Sequence, residues 1–189
     1  MIILDFGSGN TCKNDKAYVK KMIDGLVHVD SRDKEVVIKW QLFLQAGDNV
    51  PLEPAVFDYA YHYAKELGYA TTASVFDTES LKLLLGYDVP FIKIANRPDL
   101  WWLANEQSDV PVLVSGQDMY CVSEYPATVE QYEALGLYSG CNISDHTTDF
   151  TLYHKYRPKV IEFHYKLPDS TGLDAGPFAK TPEVLKEIL

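Results

Sequence analysis

The sequence predicts an α/β protein: a compact (β/α)8 barrel making a single domain over residues 1–189, with the helix between strands 5 and 6 missing. Three observations lead there. Eight apolar runs of strand length alternate with about seven helical patterns. The runs are continuously apolar rather than alternating, as parallel strands buried on both faces are. Finally, Asp5, Lys39, Phe76, Lys93, Ser115, Ser123, His146 and His164 fall at or near the exits of successive strands. Only a closed barrel gathers so many exits around one mouth, because an open sheet spreads them along an edge. A usual barrel has ~250 residues, so 189 lies near the lower limit.

Ile2-Ile3-Leu4-Asp5-Phe6 is the first strand, left through the turn-rich Gly7-Ser8-Gly9-Asn10. Val19, Met22, Ile23 and Leu26 then recur at helical spacing over residues 16–26. Residues 35–41 form the second strand, and Lys39 stands out in it, since a buried ammonium is costly unless it meets an anion. Residues 54–67 read as a helix with Val56, Tyr59, Ala60, Tyr63, Ala64 and Leu67 on one face, stopped by Gly68. Residues 70–76 are the third strand, and Thr78 is the expected cap of a helix that Gly86 ends. Residues 90–95 repeat the pattern of an apolar strand with a lysine inside, here Lys93.

A short helix over 99–105 carries Trp101 and Trp102, and residues 110–115 are the fifth strand. After Gly116-Gln117-Asp118 the chain enters the sixth, 119–123, without room for the crossover of a dozen or more residues that parallel neighbours normally need. A helix over 128–135, a strand over 137–143, a helix over 149–156, a strand over 159–165 and a helix from Thr181-Pro182-Glu183 to the end complete the alternation.

Composition narrows the function. The chain is 47% hydrophobic and 23% charged, which excludes a disordered chain, and a net charge of -10 without any basic run argues against nucleic acid or an anionic membrane as partner. Cys12, Cys121 and Cys141 make neither a disulfide framework nor a Cys-x-x-Cys metal pattern, so they read as thiols of a reducing, cytoplasmic compartment. No apolar stretch suffices to span a bilayer, and Met1 to Asp5 lacks the basic start of a signal peptide.

The most informative stretch runs from Ser144 to Pro177. His146 and His164 each follow a short apolar run, and with Glu162 and Asp174 nearby in sequence they suggest a divalent-metal site. The structural alternatives are that His146 caps the following helix and His164 is a packed core histidine. Tyr59, Tyr61, Tyr63, Trp101 and Trp102 read as packing on the outer helices.

Seven short segments, in order, resemble the sialic acid (N-acetylneuraminate) synthases and their legionaminate and pseudaminate relatives. Ile38-Lys39-Trp40-Gln41 is similar to the family's Val-Lys-Phe-Gln, Ser74-Val75-Phe76-Asp77 to Thr-Pro-Phe-Asp, and Phe91-Ile92-Lys93-Ile94-Ala95 to Phe-Lys-Ile-Ala-Ser. Ser123-Glu124-Tyr125-Pro126 and Ser144-Asp145-His146-Thr147 match its Ser-Glu-Tyr-Pro and Ser-Asp-His-Thr forms. Ile161 to Tyr165 parallels Ile-Glu-Lys-His-Phe, and Gly172-Leu173-Asp174 stands for Gly-Pro-Asp.

The resemblance implies a barrel that condenses phosphoenolpyruvate with the open aldehyde form of an aldose or N-acyl amino sugar. It assigns a divalent metal, Mn²⁺ or Mg²⁺, to His146 and His164. Lys39 and Lys93, with the hydroxyls of Ser74, Ser115 and Ser123, would hold the carboxylate and phosphate of phosphoenolpyruvate, within a substrate site that also includes Phe76. Asp5 stands where the family has a glutamate that manages protons. Gln41, Tyr125, Glu162 and Asp174 would orient substrates and stabilise the species formed, so Asp5, Lys39, Glu162 and Asp174 are the catalytic candidates. The partners implied are the two small-molecule substrates, and the assembly allowed is a homodimer.

The departures are specific. Asp5 is one methylene shorter than the glutamate, Ser8-Gly9-Asn10-Thr11 replaces Asn-His-Asn-Gly, and the loop after strand two is short. Family members continue into a small antifreeze-like domain, and the matching residues here are those of the barrel alone. Two other readings stay open: an aldolase for a different 2-keto acid, with Lys39 or Lys93 as Schiff-base nucleophile, and a non-catalytic binding protein descended from the synthases.

Overall fold

The computed structural model describes residues 1–106 and 109–189. Its eight strands, Ile2–Asp5 (β1), Val36–Leu42 (β2), Ala70–Val75 (β3), Ile92–Ile94 (β4), Val112–Val114 (β5), Tyr120–Cys121 (β6), Ile143–Asp145 (β7) and Ile161–His164 (β8), form one sheet in the order β5-β4-β3-β2-β1-β8-β7-β6. Every ladder is parallel. Seven α-helices accompany them: Gly9–Cys12 (α1), Lys16–Val29 (α2), Pro54–Glu66 (α3), Thr78–Leu84 (α4), Val129–Glu133 (α5), Thr151–Tyr156 (α6) and Pro182–Leu185 (α7).

The two faces of the sheet have different fates. Ile2, Leu4, Phe6, Ile38, Trp40 and Leu42 pack with Val19, Met22, Ile23 and Leu26 of α2 and Val56, Phe57, Ala60 and Ala64 of α3 in the main core. On the other face Ile3, Val37 and Phe91, with Met1, Leu113 and Val160, form a small separate cluster. Side chains alternate between faces, so moving two residues along each strand from that cluster leads to Asp5, Lys39, Lys93, Ser115 and Glu162. Register keeps them level, pairing Asp5 with Lys39 on one side and with His164 on the other.

The sheet is strongly curled. Lys93 of β4 and Glu162 of β8 stand four strands apart in the order, about 19 Å in a flat sheet, yet Lys93 Nζ lies 3.6 Å from Glu162 Oε2. Between the two ends of the order, β5 and β6, Ser115 and Met119 form one parallel bridge, and Gly116 N donates to Met119 O at 2.8 Å. The Asp118 carboxylate accepts from Val114 N at 2.8 Å, giving a β5 amide a partner where the ladder is minimal.

Several expected boundaries move. The strand expected over 137–143 is Ile143–Asp145; Gly136 and Gly140 take φ of 78° and 83°, turning the chain where the apolar run suggested extension. Asp77, not Thr78, caps α4, its carboxylate accepting from Ser80 N at 2.8 Å. The helix carrying Trp101 is a 3₁₀ helix, Pro98–Asn105, and the last helix is one short turn. Thr128, expected inside the helix over 128–135, instead caps α5 with a full capping box. Tyr59 and Tyr63 stack on each other, and Tyr61 is buried with its hydroxyl on Asp88 O, so these aromatics do pack on helices. The three cysteines are free, and no helix among the described residues is long and apolar enough to cross a membrane.

Candidate active site

One cavity of about 600 Å³ is lined by residues from all eight strands or their exits. All thirteen residues singled out in the sequence line it: Asp5, Lys39, Gln41, Ser74, Phe76, Lys93, Ser115, Ser123, Tyr125, His146, Glu162, His164 and Asp174.

Its floor is a network of buried charges. Lys39 Nζ donates to Asp5 Oδ2 at 2.7 Å and Ser74 Oγ at 2.9 Å, and lies 3.5 Å from Glu162 Oε1. Gln41 Nε2 bridges Asp5 Oδ2 at 2.9 Å and Asp174 Oδ1 at 2.8 Å. Lys93 Nζ donates to Ser115 Oγ at 2.6 Å, and Ser144 Oγ donates to Glu162 Oε1 at 3.2 Å. Asp5 Oδ1 accepts from Gly7 N at 2.9 Å, which ties the carboxylate to the turn leaving β1.

Burial and pairing compete over each group's proton. For Asp5 and Glu162 burial pushes the carboxyl up, but Lys39 and His164 beside Asp5, and Lys39 and Lys93 beside Glu162, outweigh it and hold both below their ordinary values. Burial alone would lower Lys39, and the Asp5 and Glu162 carboxylates raise it instead. Lys93 goes the other way: burial lowers it, Lys39 adds repulsion, and Glu162 compensates only in part. His164 is depressed by burial and raised further by Asp5 and Asp174. For His146, burial and then His164 push the imidazole down to about 3, so it is neutral at physiological pH.

The residues present fit a metal. His146 Nδ1 lies 2.6 Å from Val122 O, a contact that places the proton on Nδ1 and leaves the Nε2 lone pair to ligate. The two imidazole rings lie 5.3 Å apart. A donor atom from each of Asp5, His164 and Asp174 lies within 4.8 Å of the others, a group that differs from the expected pair in holding two carboxylates with His164 and not His146. Among the described residues His164 Nδ1, Asp174 Oδ2 and Glu162 Oε2 are buried without a hydrogen-bond partner, and these residues line the same cavity. Nδ1 of His164 does lie 3.3 Å from Asp174 Oδ1, a charge contact outside hydrogen-bond geometry.

The mouth is more apolar. Tyr125, about half exposed, lies 4.2 Å from the His146 ring and 5.1 Å from Phe178; burial of its hydroxyl end drives the phenol pKa up. Ser123 Oγ accepts from Asn96 Nδ2 at 3.1 Å.

Sequence reasoning passed over several contributors. Ser144 and Cys121 line the cavity and pair in register, and spacing of two from His146 and Ser123 would have found them. Tyr132, buried on α5, donates to Ser144 O and accepts from His146 N at 3.1 Å, fixing the β7 exit. Phe178 enters from a loop, and no periodicity announces it.

No protein-family model matches the chain, and no curated protein matches it. Solved structures do. The N-acetylneuraminic acid (sialic acid) synthetase of Leptospira borgpetersenii serovar Hardjo-bovis, in complex with citrate, aligns with a TM-score of 0.72 at 17% identity over 98% of this chain and 80% of that one. A spore coat polysaccharide biosynthesis protein E from Chromobacterium violaceum aligns at 0.75 and 20% identity, over 98% and 72%. The spore coat polysaccharide biosynthesis protein SpsE of Bacillus subtilis aligns at 0.66 and 19% identity, over 99% and 65%. The chain shares the fold of these biosynthetic proteins over almost its whole length.

Proposed function

We propose that the protein is a synthase that joins phosphoenolpyruvate to the open aldehyde of an aldose or N-acyl amino sugar, on a (β/α)8 barrel closed at the Ser115–Met119 bridge. The observation that carries this reading is the cavity floor, where two ammonium groups from β2 and β4, three carboxylates and two imidazoles share one enclosure. The likeness of fold to a sialic acid synthetase supports it.

In the reaction, C3 of phosphoenolpyruvate bonds to the aldehyde carbon, whose oxygen takes a proton and becomes a hydroxyl. Water adds at C2, and the tetrahedral species expels phosphate, leaving a 2-keto acid sugar. Lys93 with Ser115, and Lys39 with Ser74, bind the carboxylate and phosphate; both ammoniums sit in low dielectric, where a charge-assisted hydrogen bond is strong. Asp5, held ionised by Lys39, takes the proton of the attacking water. Gln41 fixes Asp5 and Asp174 relative to each other. His146 and His164 would hold Mn²⁺ or Mg²⁺, which when bound supplies Lewis-acid polarisation of the aldehyde. A divalent cation also suits the charge balance, because three buried carboxylates already oppose the lysines before an anionic substrate arrives.

The test is phosphate release from phosphoenolpyruvate with Mn²⁺ or Mg²⁺ across aldoses and N-acyl amino sugars, with His164→Ala alongside. Sugar-dependent release that the variant loses supports the synthase. Absence of release with every sugar, while phosphoenolpyruvate binds, refutes it in favour of a binding protein. The lowered pKa of Lys93 favours one second reading, an imine-forming aldolase.

A further inference from the structure

The β7–β8 ladder ends at Asp145 paired with Phe163, one residue short of His146 and His164. No rung of that ladder therefore fixes the histidines against each other. Lys180 takes the place of the missing rung. Its backbone N donates to His164 O at 2.8 Å, its carbonyl accepts from Lys166 N at 3.0 Å, and it makes a parallel bridge with Tyr165. Its side chain crosses to the other strand exit, where Nζ donates to Thr147 O at 2.7 Å. One residue thus grips the carbonyl of one histidine and the carbonyl just after the other.

The ammonium is an expensive way to fill that space. Lys180 is 2% exposed, with Nζ 5.4 Å from the Phe150 ring and 5.8 Å from that of Phe163. A methionine would occupy such a site without burying a charge. What the lysine adds is the bond to Thr147 O and the attraction of its charge to the Asp145 and Asp149 carboxylates beside it, which offsets part of the cost of burial. Two residues earlier, Phe178 sets its ring edge against His164 at 4.9 Å and reaches the His146 ring at 6.2 Å, so the same short segment touches the pair within the cavity.

We propose that Lys180 is a positioning residue that sets the separation and ring orientation of His146 and His164, so that both imidazoles address one ligand. This rests on the reading of the two histidines as a functional pair. It predicts that removing the ammonium changes the imidazoles without removing any group that touches substrate.

The test compares the full chain with Lys180→Met in two measurements. The first is NMR of the imidazole nitrogens, assigned through His146→Ala and His164→Ala. The second is Mn²⁺ affinity, read by electron paramagnetic resonance of the free ion. The expected result is a displaced or mixed-tautomer His146 signal together with Mn²⁺ binding at least about tenfold weaker, the size of effect typical of groups that orient ligands. Unchanged imidazole signals in a folded Lys180→Met protein overturn the proposal, whatever the metal does. If the wild type binds no Mn²⁺ but the imidazole signals still move, the positioning role stands and the metal leaves the proposed function. Should Lys180→Met not fold, Lys180→Leu, which also lacks both the charge and the donor, carries the same comparison with the same outcomes.

Discussion

Replacing Lys39 by methionine removes the cation that two buried carboxylates depend on, and its effect can be worked from the contacts. At 2.7 Å from Asp5 Oδ2 the attraction is about 6 kcal/mol at an effective dielectric of 20. The lysine's own desolvation offsets part of this, and breaking a buried pair from one side typically costs about 3–5 kcal/mol. That corresponds to a drop in Tm on the order of 10 °C for a chain this long. The pH dependence is the sharper signature. In the wild type Asp5 and Glu162 titrate below their ordinary values of 3.8 and 4.5. The stability they contribute is complete above those values and is lost as pH falls through the lower, folded ones. Without Lys39, burial is opposed mainly by His164 beside Asp5 and by Lys93 beside Glu162, so both carboxyls rise relative to the wild type and the variant's deficit should shrink as pH falls from 8 to 5, where these two groups leave the wild type flat. Urea unfolding at pH 8, 6.5 and 5 measures this. A Lys39→Met protein that loses under about 1 kcal/mol at pH 8 and whose deficit does not shrink on acidification refutes the view of the floor as a mutually compensated charge network.

Asp118→Ala should cost about 1–2 kcal/mol, because the Val114 amide loses its carboxylate acceptor; urea titration gives the loss, and faster hydrogen exchange at Val114 gives its location. Gly116→Ala should destabilise by more than about 2 kcal/mol, since Gly116 has φ +85° and a Cβ there would lie 2.2 Å from Asn96 Oδ1; thermal denaturation is the check. Borohydride with pyruvate should leave Lys39 and Lys93 unmodified by mass spectrometry, and an adduct on Lys93 would instead establish the imine-forming aldolase. His146→Ala should lower metal-dependent phosphate release at least about a hundredfold, measured under the conditions that show release in the wild type.

How far the sequence could be read depended on which physical signal each residue carries. Strands β1 to β4 were visible because a parallel strand covered on both faces is apolar on both, and Lys39 and Lys93 stood out against that background. β7 was misplaced for the converse reason: Ser144 faces the cavity and Asp145 is polar, so Ile143–Asp145 has little of the apolar character that identified the others, while the turn residues before it include Leu137 and Tyr138. The cap at Asp77 was missed because Thr78 is an equally good capping type by composition, and only geometry separates them. The site residues were legible where they sit at strand exits, since alternation sends every second residue to one face. Phe178 and Lys180 were not, because a loop returning to the sheet has no period to betray it.

The wiring of the floor also constrains how an anion could enter. Each lysine is already engaged, Lys39 with Asp5 and Ser74, and Lys93 with Ser115 beside Glu162. Glu162 touches both ammoniums, at 3.5 and 3.6 Å, and its Oε2 has no hydrogen-bond donor among the described residues. An incoming carboxylate or phosphate therefore competes with Glu162 for the lysines while the two anions repel each other in low dielectric. Lys93 is the weaker holder of its proton, so it gains most from an added anion, which raises its pKa toward that of a fully charged ammonium. Glu162→Gln separates the two effects. It removes the competitor and the repulsion, so an anion should bind the variant more tightly, by about tenfold for each 1.4 kcal/mol of repulsion relieved. Calorimetric titration with phosphoenolpyruvate measures this; weaker binding would mean that Glu162 orders the lysines for the ligand instead of opposing it.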